Sequence, residues 1–279
     1  MFHVITDSSA LFSSKQGKEV GIIVTPLSVT IDGKSYRELD EITSETFLQI
    51  VREGHLPTSS QPAIGEVLET FEQQEGDILN ISMADGLSGT YQSACSAREM
   101  MSDKERVTVV NSGSLCGPHR YLVNRAKEFA REGLSITAAL QRLEASLNNH
   151  KSFLIPMDFD FLRRGGRLAP LAAQIGGLLH LVPLMAQTRD GKKIEKAGLS
   201  RNFKGALDQV IKSFEKIGVG AGHLITVSHA DAQGRLKDAV DRLAKAFPYT
   251  EIEVLELSPA FITQGGPGCV AVQAILKSI

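Results

Sequence analysis

The chain has 279 residues, of which 42% are hydrophobic and 22% charged, with a formal net charge of −2. That length supports one large core or two smaller ones, and the composition is that of a soluble globular protein. The near-neutral balance gives no reason to expect nucleic acid as a partner, and no apolar run reaches the length of a membrane span. The cysteines, Cys95, Cys116 and Cys269, are scattered and lack CxxC spacing. They predict buried free thiols, with no disulfide framework, metal site or cofactor. The N-terminus has no basic segment followed by a long apolar one, so it reads as a first strand in a cytoplasmic protein.

In chain order, Phe2 to Thr6 is apolar and predicts a strand ending in Asp7-Ser8-Ser9, turn and cap residues that could also line a pocket. Gly21 to Leu27 is a second apolar run, extended by Ser28 to Ile31 and closed by a hairpin-type turn at Asp32-Gly33. Gly33-Lys34-Ser35 resembles the tail of a phosphate-binding loop, but Ser28 stands where the leading glycine would be. Thr43 to Glu53 predicts a helix with Phe47, Leu48 and Val51 on one face. The Leu56–Pro62 loop is held extended by two prolines and offers Thr58, Ser59, Ser60 and Gln61 as small polar groups. A helix over residues 65–74 and a strand at Ile78–Ile81 follow.

The stretch Ile81-Ser-Met-Ala-Asp-Gly-Leu-Ser-Gly-Thr-Tyr-Gln-Ser-Ala94 reads as strand, turn and helix, with Ser88 as the N-cap. Such a junction presents free backbone N–H groups to an anion, and Gly86 and Gly89 would allow a ligand close to the backbone. An ordinary capped turn is the plainer alternative. Arg106 to Val110 predicts a strand, and helices over 117–131 and from Ser135 onward complete an alternating pattern. That pattern implies an α/β fold whose N-terminal domain, residues 1–150, is a doubly wound, mostly parallel sheet.

The pattern changes after Lys151. Strands at Ser152–Pro156, Val182–Gln187 and Lys193–Ala197, the last two around an Arg189-Asp-Gly191 turn, predict a mixed or antiparallel sheet in a C-terminal α/β domain, residues 151–279. A short helix precedes the glycine pair Gly165-Gly166, and Ala169 to Leu179 reads as an apolar helix. Helices over 202–217 and 231–247, strands at His223–Val227 and Thr250–Leu257, and a final helix over Val270–Lys277 complete the expectation.

Several motifs, read together and in order, carry a resemblance. Ile5-Thr-Asp-Ser-Ser9, Ser59-Ser-Gln-Pro62, Leu87-Ser-Gly-Thr-Tyr-Gln-Ser-Ala94, Phe161-Leu-Arg-Arg-Gly-Gly-Arg167 and Gly266-Pro-Gly268 resemble the signature stretches of the DegV family, over nearly the whole chain. The resemblance implies a two-domain α/β protein that buries one long-chain fatty acid and, in members of the FakB type, presents it to a separate fatty acid kinase subunit. The carrier itself would not be an enzyme. By the same resemblance Ser59 stands where a threonine usually meets the carboxylate, with Ser88, Thr58, Ser60, Gly89 and Gln264 beside it. Arg167 and Arg201 are candidates for contact with the kinase or, transiently, with a membrane phosphate.

The sequence departs from the family pattern at Ala84 and Asp85, where serines are usual, and at Gln264, where histidine is usual. Asp85 could repel an anionic head group, and glutamine donates a hydrogen bond without carrying charge. These departures keep a carrier for another amphiphile open. A hydrolase or phosphotransferase using Ser88 or Asp7 is a further alternative, with His229 as its base. Against it, Ser88 lies in no GxSxG elbow, and a lone histidine at a strand end is more often structural.

Overall fold

A computed structural model describes residues 1–170, 181–188 and 190–278. The first part of the chain runs β1 (His3–Asp7), α1 (Ser14–Val20), β2 (Ile23–Thr25), β3 (Ser28–Ile31), β4 (Lys34–Arg37), α2 (Ser44–Arg52) and β5 (Thr58–Ser60). It continues with α3 (Ile64–Glu72), β6 (Ile78–Ser82), α4 (Thr90–Met100), β7 (Val107–Asn111), α5 (Cys116–Arg131) and α6 (Ile136–Asn148). Then follow β8 (His150–Ile155), α7 (Phe159–Gly165), β9 (Val182–Gln187), β10 (Ile194–Ser200), α8 (Phe203–Lys216) and β11 (His223–His229). The last elements are α9 (Gln233–Ala246), β12 (Glu251–Glu256), α10 (Pro259–Gly265) and β13 (Val270–Leu276).

The fold is α/β, built on two principal sheets, as the alternation implied. Strands β2-β1-β6-β7 form a wholly parallel sheet. Successive side chains point to opposite faces of a strand. In β1, Ile5 therefore packs with Val67, Phe71 and Ala97 of α3 and α4, while Val4 packs with Leu122 and Phe129 of α5. Burial on both faces is what a parallel sheet requires, and β6 is buried at every position.

The apolar run from Gly21 to Ile31 divides between two sheets. Pro26 has no N–H to give a ladder and lies between β2, in the parallel sheet, and β3, in a small antiparallel sheet ordered β4-β3-β5. The Asp32-Gly33 turn joins β3 to β4 with both residues at positive φ, 50° and 80°. The proline-flanked loop supplies the third strand, pairing Ser28 with Ser60 and Val29 with Ser59.

The second principal sheet is ordered β10-β9-β8-β13-β11-β12 and is mixed, with only β11 and β12 parallel. Helices α8 and α9 cover one face through Phe203, Leu207, Phe214 and Leu243. Toward the other face, α5 is sandwiched between the sheets, and its Leu122 shares a core with Ile275 of β13.

One expectation is overturned here. Val270 to Lys277 is no helix but the strand β13, paired on both sides between β8 and β11. Val270, Val272 and Ala274 face the α8–α9 core while Ala271 and Gln273 face the opposite way. A short apolar run carries no periodicity that separates a buried strand from a buried helix, so tertiary pairing decided it. The helix α10, with Ser258 before it and Pro259 in its first turn, follows a helix-start signal that the sequence reading passed over. The expected helix Ala169–Leu179 falls largely on residues 171–180, and the turn residue Arg189 likewise lies outside the described residues. The hairpin flanking that turn forms as expected, β9 against β10.

Candidate functional site

Between the face of β8, β9 and β13 and the loops of the other sheets lies a cavity of about 380 Å³. That is within the range of ~300–1,000 Å³ usual for small-molecule sites. Its wall is mostly apolar, with Leu27, Met83, Leu115, Leu154, Met185 and Phe261 among its residues.

The polar side chains at the exposed end come from widely separated stretches. Ser59 and Ser60 are on β5 and Gln61 follows it; Ser88 is in the turn after β6; Arg167 follows α7; Gln264 is in the last turn of α10. Gln264 Nε2 donates to Ser59 Oγ at 3.1 Å, joining residues 205 apart in sequence. The amide Oε1 of Gln264 is buried and has no partner among the described residues. Arg167 is fixed by the fold: its carbonyl accepts from Ile194 N at 2.9 Å, and its guanidinium donates to Gly165 O at 2.6 Å and Leu87 O at 3.3 Å.

The anticipated cap is shifted by one residue. Helix α4 starts at Thr90 with Gly89 at its N-cap and no side-chain cap. Ser88 Oγ instead lies 2.7 Å from Thr90 Oγ1 and accepts from Thr90 N at 3.3 Å, a local hydroxyl turn one position upstream. The expected close approach at the glycines is made by protein atoms. A Cβ at Gly86 would fall 2.8 Å from Lys192, and one at Gly89 would fall 2.2 Å from the Gln61 amide. Gln61 in turn donates to Ser93 Oγ at 3.1 Å, so it shapes this edge, a role its place in the sequence did not reveal.

The structure brings together Ser59, Ser60, Ser88, Arg167 and Gln264, all on the cavity wall. Thr58 and Gly89 adjoin that wall without lining it, and Thr58 is exposed opposite Thr30. Arg201 is exposed at the start of α8. Ala84 is fully buried and Asp85 is not on the wall, so the carboxylate expected to oppose an anion stands outside the cavity lining. Asp7 is consumed by structure, accepting from Ser9 N at 3.0 Å and Met83 N at 2.9 Å. His229 is buried, and its Nδ1 accepts from Ala232 N at 3.4 Å.

A further polar group bears on the site from behind. Glu38 is completely buried; it accepts from Ser8 Oγ at 2.6 Å and from Ala260 N at 2.7 Å, in the first turn of α10. Burial pushes its carboxyl from 4.5 up to about 7 against the opposing effect of these hydrogen bonds. Two thiols are buried nearby in the same core. Burial raises Cys116, which lines the cavity, well above its ordinary value and pushes Cys269 up to about 12. Such groups are inert thiols at neutral pH.

Comparison with known proteins gives a consistent result. A family model described as an uncharacterised protein of the DegV family matches residues 1–277. A DegV domain-containing protein of Halalkalibacterium halodurans is 31% identical over 275 residues, spanning 96% of this chain and 95% of its own. Among solved structures, a fatty-acid-binding DegV family protein from Thermus thermophilus superposes with a TM-score of 0.86 at 31% identity, covering 99% of each chain. DegV of Bacillus subtilis, described as a fatty acid binding protein, gives 0.86 at 25% identity and the same coverage.

Proposed function

The chain belongs to the DegV family, and from its cavity we propose that it binds one long-chain fatty acid and presents the carboxylate to a partner fatty acid kinase. The observation that carries this reading is a mostly apolar cavity whose exposed end gathers Ser59, Gln264, Ser88 and Arg167. An acyl chain gains roughly 0.8 kcal/mol for each methylene it buries. Its carboxylate needs donors, because a buried anion without them is costly. Ser59 Oγ accepts from Gln264 and keeps its own proton for the ligand. Ser60 and the Ser88 hydroxyl stand beside it, with Thr58 and the Gly89 backbone completing the head-group edge.

In this reading residues 1–150 supply most of the head-group loops, and residues 151–279 supply the sheet that closes over the acyl chain. Arg167 at the mouth and exposed Arg201 meet the kinase. The protein acts as a carrier and not a catalyst. That is supported by the engagement of Ser88 with Thr90 and of His229 with Ala232, which leaves the first without a base among the described residues and turns Nδ1 of the second to its own backbone.

Extraction of the purified protein into organic solvent, followed by mass spectrometry, tests the proposal. One fatty acid per chain is expected. An empty protein that also fails to take up added fatty acids would overturn it. Incubation of the loaded protein with a fatty acid kinase and ATP should then yield acyl phosphate, at a reduced rate for Arg201→Ala.

A further inference from the structure

The floor of the cavity is not uniformly apolar, and its polarity is organised by strand register. β8 and β13 pair Ser152 with Gln273 and Leu154 with Ala271. β8 and β9 pair Leu154 with Met185 and Phe153 with Ala186; carried one residue beyond that ladder, the same antiparallel register sets Gln187 opposite Ser152. Two rungs therefore cross three adjacent strands on the cavity face. One is Met185–Leu154–Ala271 and wholly apolar. The next, two residues along, is Gln187–Ser152–Gln273 and wholly polar. All six residues line the cavity.

The hydrogen bonds of the polar rung leave a defined remainder. Gln273 Nε2 donates to Ser152 Oγ at 2.8 Å and Leu115 O at 3.0 Å, and its Oε1 accepts from Gly117 N at 3.2 Å. Gln187 Nε2 donates to Gly113 O and Gly191 O, both at 2.9 Å. Among the described residues, the Ser152 proton then has no acceptor and Gln187 Oε1 no donor. These are one donor and one acceptor, neighbours across a strand pair, on residues only 8% and 6% exposed. A plain alkyl chain laid on this rung would leave both unpaired, and a polar group covered without a partner is costly. A hydroxyl is donor and acceptor at once and satisfies both; a carbonyl satisfies only the donor.

We propose that the preferred ligand is a hydroxylated long-chain fatty acid, its mid-chain hydroxyl bound between Ser152 and Gln187. This rests on the fatty-acid reading above and specifies the class of acid. The cavity would then discriminate at both ends of the ligand, by carboxylate at the mouth and by hydroxyl at the floor. A buried polar pair of this kind rejects an analogue lacking its partner more strongly than an apolar pocket rejects an extra methylene.

The test is competitive binding to the delipidated full chain of stearic acid, a series of hydroxystearic acids with the hydroxyl at successive mid-chain positions, and methyl-branched stearic acids as size controls. The best-placed hydroxy acid should bind about tenfold tighter than stearic acid, the worth of one to two net hydrogen bonds, while no methyl-branched acid does. Ser152→Ala and Gln187→Met should each remove that preference, weakening the hydroxy acid and tightening stearic acid, which then leaves one polar group fewer unpaired. Equal binding of stearic acid and every hydroxy isomer overturns the inference while the fatty-acid reading stands. So does a preference that survives both substitutions. Failure of every acid to bind overturns the fatty-acid reading and this inference with it.

Discussion

The mouth and the floor of the cavity are both polar, yet they are built in opposite ways. The mouth is assembled from loops and helix ends far apart in the chain, and single side-chain bonds such as Gln264 to Ser59 tie them together. The floor is one face of three neighbouring strands joined by backbone ladders, which set its side chains in rows. Positions on a ladder are set by many cooperative bonds; positions in a loop cluster depend on a few tertiary contacts. The mouth should therefore respond to distant substitutions and to pH. The floor should respond only to changes in its own side chains.

The largest expected effect blocks the space that both regions share. Ala271→Phe adds a ring on the apolar rung, pointing into the cavity, and should abolish loading with any long-chain acid. Overpacking costs a fold about 1–3 kcal/mol, and less where a cavity receives the ring, so the thermal midpoint should move little. Lipid content by mass spectrometry beside the melting curve separates the two; a loaded variant would mean that the ligand lies elsewhere.

Next comes the titratable tie behind the mouth. The Glu38 carboxyl rises from 4.5 to about 7 on folding, so the folded state holds its proton more tightly. Stability is undiminished by Glu38 below about pH 4.5 and falls as pH rises to about 7, by about 3 kcal/mol at ~1.4 kcal/mol per unit. Urea unfolding at pH 5 and pH 8 should show most of that loss in the wild type and much less of it in Glu38→Gln. Identical pH dependence in the two proteins would remove Glu38 as the source.

A smaller effect belongs to the head group. Ser59→Ala or Gln264→Leu should weaken fatty acid binding about tenfold, as expected for a hydrogen bond to a charged group. Neither should alter binding of the corresponding fatty alcohol to the same degree. Equal losses for acid and alcohol would place the carboxylate somewhere else.

The smallest effect tests how sensitive the mouth is to a single contact. A Cβ at Gly165 would fall 1.9 Å from Gln264 Oε1. Gly165→Ala is compatible with the helical backbone of α7 and should cost little stability, yet it must displace the Gln264 amide. A loss of a few-fold in acid affinity is expected by competition binding. An unchanged affinity would show that the amide does not hold the ligand.

Much of the mouth was legible in the sequence because its residues fall in short motifs: Ser59, Ser60 and Gln61 of one, Leu87 and Ser88 of another, and the arginine that closes the Gly-Gly pair lie on the cavity wall. The seating of Gln61 over Gly89 was not legible, since it is a contact between distant segments. Glu38 was equally silent, because an acidic residue after a hairpin reads as surface until the chain buries it beneath α10. Of the floor, two strands were legible and their alignment was not. Gln273 lies in a stretch mistaken for helix, and its alignment with Ser152 and Gln187 exists only once three separated strands are in register.

By itself the sequence determined the α/β class, the change of sheet type after Lys151, the hairpin around residue 190 and the family. These rest on local periodicity, turn chemistry and motifs, which act over a few residues. Tertiary structure alone decided that Val270–Leu276 is a central strand, that Pro26 separates two sheets, and that a polar rung crosses an apolar cavity. The physical reason is common to all three. A strand obtains its hydrogen bonds and its burial from partners remote in sequence, so its identity and its facing are properties of the assembled sheet.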